Sequence, residues 1–135
     1  LVRFFGRSAA HMELKAMPLH ESVIEAELAK AKVLINASAV GLASGTSPIP
    51  AELLPPGLLV FDLIYTPRET RLLRDARAAG AEAVQNGELM LLHQGAAAFA
   101  LWTGLAPSLD LMRERLDAAF TNDGPGNNAP TAGAA

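Results

Sequence analysis

Residues 58–85 read LLVFDLIYTPRETRLLRDARAAGAEAVQ, and this stretch decides the fold class. Leu58–Ile64 is a nearly continuous apolar run, which is typical of a parallel strand buried on both faces. Arg68–Ala79 is a predicted helix, and Gly80 suits the left-handed residue that commonly ends one. A short strand over Glu82–Gln85 completes a strand–helix–strand unit. This alternation predicts an α/β fold with a parallel sheet.

The flanking sequence continues the alternation in both directions. Six further elements are predicted: strands over Leu1–Phe5 and Lys32–Asn36, and helices over Ala9–Ala16, Glu21–Lys30, Gly87–Thr103 and Ser108–Phe120. Residues 1–120 are expected to form one partial Rossmann-like domain. Thr121–Ala135 is rich in Gly, Pro, Asn and Ala, so a disordered C-terminal tail is predicted there.

Composition excludes several classes of function. The net charge of −3 gives no basic surface of the kind that nucleic-acid binding needs, so no nucleic acid is expected as a partner. No cysteine is present, and His11, His20 and His93 lack the spacing of metal ligands, so no metal is expected. No apolar run approaches the roughly 18–20 residues of a membrane span. We therefore expect a cytoplasmic protein without a membrane partner.

The predicted helix Gly87–Thr103 carries an uncharged amide, Gln94, within an apolar run. Met90, Gln94, Ala97 and Leu101 share one helical face, and Gly95 on the other side allows a close approach. Two interpretations stay open: a core helix whose Gln is satisfied internally, or a helix whose Gln faces a ligand. In both, Phe99 and Trp102 are expected to be packing residues.

Polar residues and glycines gather after each predicted strand, where parallel sheets bind ligands. In a dinucleotide-binding fold, the second strand ends at the adenosine ribose of the cofactor, where an acid favours a free 2′-hydroxyl and an arginine favours a 2′-phosphate. Arg7 follows the first predicted strand of this chain with no nearby acid, which favours the phosphorylated ribose. An arginine exposed to solvent, without a ligand, is the alternative. The small residues of Asn36–Gly41 leave room for a flat ring or sugar, or form an ordinary turn.

The segment Asp62–Thr70 adds two more candidates. Asp62 lies inside an apolar strand, and a buried carboxylate needs hydrogen-bond partners, so we interpret it as structural. Tyr65, the single tyrosine, follows the strand end, where its hydroxyl could donate to an anionic ligand. A half-buried tyrosine without a ligand is the alternative.

Four motifs occur in order along the chain: Asn36-Ala37-Ser38-x-x-Gly41, Asp62-x-x-Tyr65-x-Pro67-x-x-Thr70-x-Leu72, Gly87-x-x-Met90-Leu91-x-x-Gln94-Gly95 and Phe99-x-x-Trp102-x-Gly104. As an ordered set they resemble the C-terminal, NADP-binding half of the shikimate dehydrogenase family, from about Leu1 to Phe120. The resemblance implies NADP as the cofactor. It also implies the reversible reduction of 3-dehydroshikimate to shikimate, a step of aromatic amino acid biosynthesis.

The resemblance also implies roles for individual residues. Positions that match the family's cofactor contacts are Arg7, Ser8 and His11 at the adenosine 2′-phosphate, Asn36 and Ser38 in the small-residue loop, and Leu63 and Gly87 beside the nicotinamide. Tyr65 and Gln94 match substrate contacts, at the carboxylate and at a ring hydroxyl of shikimate. Gly6, Thr66 and Glu88-Leu89 depart from the family's usual residues.

The family's catalytic Lys and Asp, and the glycine-rich loop after its first Rossmann strand, match no segment of this sequence. We therefore expect a fragment of an enzyme, with no catalytic residue of its own. Its parallel sheet should be incomplete and should have uncovered apolar faces. Turnover should require an N-terminal substrate domain in cis. Two alternatives remain. One is a fragment of a quinate/shikimate-type hydroxy-acid dehydrogenase, and the other is a non-catalytic module that binds nucleotide or packs against a partner.

Overall fold

The computed structural model describes residues 14–122, and side chains to Phe120. Four α-helices and three strands are present in this part of the chain, in the order α1 (Glu21–Leu28), β1 (Val33–Asn36), β2 (Leu59–Asp62), α2 (Arg71–Ala78), β3 (Ala83–Gln85), α3 (Glu88–Thr103) and α4 (Leu109–Asn122). A short 3₁₀ helix, Ala51–Leu53, lies between β1 and β2. The chain divides into two compact units, with the boundary between Asn86 and Gly87.

The first unit is built on a parallel sheet with the strand order β1-β2-β3. Asn36, at the end of β1, is in register with Asp62, at the end of β2. Both strands therefore finish at the same level, and the loops that follow them leave from one edge. The α/β prediction with a parallel sheet is confirmed.

Helix α2 supplies much of the first unit's core. Its sequence is amphipathic, so Leu72, Leu73 and Ala76 are buried while its arginines are exposed. These three residues pack with Val60 of β2 in one apolar cluster, which also contains Leu28, Ile49, Leu54 and Leu58. Burial of large aliphatic side chains in this way is the main source of stability for such a unit.

The opposite face of the sheet is open within residues 14–122. Val33 and Ile35 of β1 are 50% and 57% exposed, and Leu59 of β2 is 40% exposed. The expectation that Lys32–Asn36 is covered on both faces is therefore wrong within this part of the chain, because only Leu34, which is half-buried against the apolar cluster, and the buried Asn36 face the interior. The expected uncovered apolar face is confirmed.

Among the elements that are shorter than the sequence predicts, β2 and α2 differ most. Strand β2 ends at Asp62 rather than Ile64, since the Asp62 side chain accepts a hydrogen bond from the backbone N–H of Ile64. Helix α2 begins at Arg71 rather than Arg68, because the Thr70 hydroxyl accepts the N–H of Leu73 and caps the helix there. In both cases a polar side chain, rather than the apolar pattern, sets the boundary.

The predictions for the N-terminus fall mostly outside the described residues. The strand over Leu1–Phe5 and the site residues Arg7, Ser8 and His11 lie there. The helix predicted over Ala9–Ala16 is wrong at its last three residues, 14–16, which are not helical. At the other end α4 continues to Asn122, two residues into the predicted tail, and the rest of the tail lies outside the described part.

The second unit contains α3 and α4. Gly104, with φ of 71°, ends α3 in the left-handed conformation, and the chain then turns into α4. A Cβ at Gly95 would lie 3.6 Å from Cε of Met112, which is an ordinary van der Waals distance to a side chain, so the expected close approach at this glycine stays a prediction. Met112, Leu116 and Phe120 of α4 are half-buried. None of the helices in residues 14–122 has the length and apolarity needed to cross a bilayer.

Gly41 is a tight point of contact between two loops of the first unit. Its φ of 104° lies in a region that L side chains rarely adopt. A Cβ there would lie 3.2 Å from the backbone oxygen of Thr46 and 3.5 Å from Cδ1 of Ile64. Glycine is thus required both by the backbone and by the space.

We predict that Gly41→Ala lowers the free energy of unfolding by about 1–3 kcal/mol, because it adds backbone strain and overpacking together. Urea unfolding followed by circular dichroism measures the change. Gly45→Ala is the matched control: its φ of 62° is also left-handed, but nothing lies within 4 Å of the added carbon. An equal loss in both variants would contradict the close contact at Gly41.

Candidate functional site

The carboxyl edge of the sheet is organised around Asp62, which is 0% exposed. Its Oδ1 accepts hydrogen bonds from Nδ2 of Asn36 at 3.0 Å and from the N–H of Ile64 at 3.1 Å. Its Oδ2 accepts the Thr70 hydroxyl at 2.6 Å. The carboxylate is thus satisfied by partners from β1, from its own loop and from the cap of α2, and the interpretation of Asp62 as structural is confirmed.

Asn36 extends this network into the loop after β1. Its Oδ1 accepts the N–H of Ser38 at 3.0 Å and the Ser38 hydroxyl at 2.7 Å, and its Nδ2 also donates to the carbonyl of Val40 at 3.3 Å. An Asx turn of this type shapes a loop through one side chain. Ser38 itself is exposed, so the buried Asn36 side chain holds this loop while the outer surface of the loop faces solvent.

A cavity of about 230 Å³ opens beside this loop. Its wall is mainly apolar, with polar atoms concentrated at the end of β1; the lining includes Leu34, Asn36, Ala37, Ser38, Pro48 and Ile49. Small-molecule sites combine an apolar wall with a few convergent polar groups in about 300–1,000 Å³, so this cavity resembles them in its lining but is smaller. This volume accommodates one ring or sugar, and so only part of a larger ligand.

The loop between β2 and α2 carries Tyr65 at the same edge. Leu63 donates its N–H to the carbonyl of Asn36 at 3.0 Å, which links the loop directly to the end of β1. Leu63 is half-buried and Tyr65 is 40% exposed. Asn86, after β3, donates through Nδ2 to the carbonyl of Arg68 at 3.0 Å, so the third strand also supports this loop.

Gln94 lies on α3 of the second unit and is exposed. Its Nε2 donates to the carbonyl of Leu91 in the preceding turn of the helix at 3.1 Å. The interpretation as a buried core Gln is therefore wrong: the residues buried on α3 are Leu92 and Ala96. The expectation that Phe99 and Trp102 are packing residues is also wrong, since they are 41% and 82% exposed.

The structure thus brings together Asn36, Ser38, Leu63 and Tyr65 at one edge of the first unit, whereas Gly87 and Gln94 belong to the second. Thr70 is the member of the Asp62 network whose role sequence reasoning missed. A threonine eight residues after a buried aspartate, immediately before an amphipathic helix, was the available signal. Within residues 14–122, His, Asp and Glu nowhere form a group of three that could hold a metal ion.

A parallel three-stranded sheet, with its core helix on one face and polar loops at its carboxyl ends, defines an α/β unit of the Rossmann-like class. Comparison with known proteins makes the assignment specific. The family described as Shikimate 5′-dehydrogenase C-terminal domain matches residues 87–116, which lie in the second unit.

Individual relatives agree. The shikimate dehydrogenase (NADP(+)) of Methanosarcina mazei is 46% identical over 109 residues, which cover 79% of this chain and 39% of the relative. The Thermus thermophilus shikimate 5-dehydrogenase, solved with NADP(H) and shikimate, is 42% identical with a TM-score of 0.70, over 87% of this chain and 40% of that one. The Corynebacterium glutamicum quinate dehydrogenase, solved with NAD, is 35% identical with a TM-score of 0.64, over 73% and 35% respectively.

Sequence and fold together assign the chain to the shikimate dehydrogenase family, as the counterpart of the C-terminal portion of its members. The chain spans about two fifths of the length of the relatives that it matches.

We predict that Gln94→Ala changes the free energy of unfolding by no more than about 0.5 kcal/mol, because an exposed side chain with one bond to its own helix contributes little to stability. Leu92→Ala, two residues away and 3% exposed, should instead cost about 2–5 kcal/mol. Chemical denaturation of both variants makes the comparison. A large loss from Gln94→Ala would restore the core interpretation.

Proposed function

We propose that this chain is the C-terminal part of an NADP-dependent shikimate dehydrogenase, which interconverts 3-dehydroshikimate and shikimate. One observation carries the proposal: the two loops whose sequences match the family, Asn36–Gly41 and Leu63–Thr70, leave one sheet edge and share a buried carboxylate. Loops at the carboxyl ends of parallel strands are where such folds bind dinucleotides. A cytoplasmic location is part of the proposal.

NADP is the proposed cofactor, and the described residues fit part of it. The exposed Ser38 and the mainly apolar cavity beside it suit a sugar or ring laid against small side chains. By position in the sequence, Arg7, Ser8 and His11 are the proposed contacts of the adenosine 2′-phosphate, where a guanidinium can make paired hydrogen bonds to phosphate oxygens. Leu63 and Gly87 are the proposed neighbours of the nicotinamide.

Tyr65 and Gln94 are the proposed substrate contacts. The exposed Tyr65 can present its hydroxyl as a donor to the substrate carboxylate, and an exposed amide such as Gln94 can both donate to and accept from a ring hydroxyl. When bound, NADPH supplies the hydride. We assign the proton-transfer groups to the part of the relatives that this chain does not cover, so turnover is proposed to need such a substrate domain in cis.

A quinate-type dehydrogenase is the second candidate. The similarity to the Corynebacterium glutamicum quinate dehydrogenase, at 35% identity, favours it among hydroxy-acid dehydrogenases. That protein was solved with NAD, whereas Arg7 in this sequence favours the phosphorylated cofactor. A non-catalytic nucleotide-binding module is the remaining possibility, and it would bind cofactor without turnover in any context.

We predict that the 135-residue chain binds NADP in preference to NAD, and that Arg7→Ala weakens NADP binding about tenfold or more because a charge-assisted bond to phosphate is lost. Calorimetric titration with NADP, NAD and adenosine 2′,5′-bisphosphate measures this. Arg74→Ala, which removes an exposed arginine of α2, is the control and should bind as the unsubstituted chain does. No saturable binding of NADP or the bisphosphate would contradict this prediction and would exclude the non-catalytic nucleotide-binding module.

In the full translated product of the gene, Gln94→Ala should raise KM for shikimate or lower kcat while leaving NADP affinity nearly unchanged. The physical reason is that the amide is proposed to contact only the substrate ring. Steady-state kinetics with shikimate and with quinate, together with NADP titration, separate the effects. A higher kcat/KM for quinate would favour the second candidate, and equal losses of NADP and shikimate affinity would contradict the role of Gln94.

A further inference from the structure

We propose that Asp62 is a positioning residue, which fixes the loop carrying Tyr65 relative to the loop carrying Ser38. The inference rests on the proposed function for the roles of Tyr65 and Ser38 in binding. The geometry on which it stands lies wholly within the first unit.

The first step in the argument is burial. Asp62 is 0% exposed, so its carboxylate cannot touch a ligand at the surface of the sheet edge. Its partners Asn36 and Thr70 are 5% and 1% exposed. Any effect of Asp62 on binding must therefore act through the groups that it holds.

The second step is the arrangement of those groups around the Tyr65 loop. Asp62 bonds the loop at both ends: Ile64 N–H, immediately before Tyr65, reaches Oδ1, and the Thr70 hydroxyl reaches Oδ2. One carboxylate thus closes residues 63–70 into a fixed shape. Gly41 packs closely against the same loop, since a Cβ at this position would lie within 4 Å of Cδ1 of Ile64 and of Cβ of Thr70.

The third step is the connection to the Ser38 loop. The oxygen that receives the Ile64 N–H also receives Nδ2 of Asn36, and the other side-chain atom of Asn36, Oδ1, receives both donors of Ser38. A rotation of the carboxylate would therefore disturb both loops. A buried polar group that loses its hydrogen bond costs more free energy than the bond contributes net to stability. Such a network therefore favours one arrangement of the two loops.

The chain contains one tyrosine, so 3-fluorotyrosine labelling gives one ¹⁹F resonance that reports only on Tyr65. Thr70→Val removes the hydroxyl that reaches Asp62, and Asn36→Ala removes the bond from β1 without altering the cap of α2. We expect both to move or split the resonance. Thr70→Ser keeps the hydroxyl and should restore the original signal, and Thr103→Val, a threonine of the second unit, is the matched control that should leave it in place.

Hydrogen exchange of the unsubstituted chain provides a measurement that does not depend on how a variant folds. The Ile64 N–H should be protected because it donates to a buried oxygen. If the Ile64 amide exchanges at the rate of an unprotected amide, the proposal is overturned. An unmoved ¹⁹F resonance in folded Thr70→Val and Asn36→Ala also overturns it.

The kinetic readout uses the full translated product. Thr70→Val should lower kcat/KM for shikimate about tenfold or more through misplacement of Tyr65, with recovery in Thr70→Ser. Absence of turnover in the unsubstituted protein counts against the proposed function alone, because the ¹⁹F and exchange results still decide the role of Asp62. A moved resonance with unchanged kcat/KM overturns the positioning role.

Discussion

The arrangement of the first unit depends on the need to satisfy one buried carboxylate. A carboxylate without solvent must find hydrogen-bond donors, and Asp62 finds them on β1, on its own loop and at the start of α2. The donors thus come from the end of β1 and from both ends of the loop between β2 and α2. The need to satisfy the Asp62 carboxylate therefore sets where β2 ends, where α2 begins and how the end of β1 is held. The candidate site is built from these three points.

The apolar core positions α2 in the interior of the first unit, and the polar network positions the loops at the sheet edge. Leu72 and Leu73 bury α2 against the sheet, a non-directional interaction that fixes which face of the helix turns inward. The hydrogen bonds of Asn36, Asp62 and Thr70 are directional, so they fix the loops to within a narrow geometry. A binding edge needs both, because packing alone leaves loop conformations open.

Exposed apolar side chains are the other notable feature of the described residues. Val33 and Ile35 face outward on β1, and Leu101 and Trp102 do so at the end of α3. Parallel sheets normally have both faces covered, so the open face of this sheet is unusual for the class. The relatives are more than twice as long as the region that they share with this chain, so they contain further residues available to cover such surfaces.

The amino-acid sequence by itself determined the α/β class, the parallel strands, α1, α3 and α4 to within a few residues, and the family, because apolar periodicity and ordered motifs are local properties of the chain. It also identified Asp62 as a structural carboxylate, since burial of a charge in a strand demands partners. Only the tertiary structure decided which partners those are: Asn36 lies 26 residues away on another strand, and the bond from Thr70, eight residues away, depends on how the intervening loop folds. The same holds for the exposure of Gln94 and Trp102. Periodicity defines the faces of a helix, but what covers each face is a property of the folded chain.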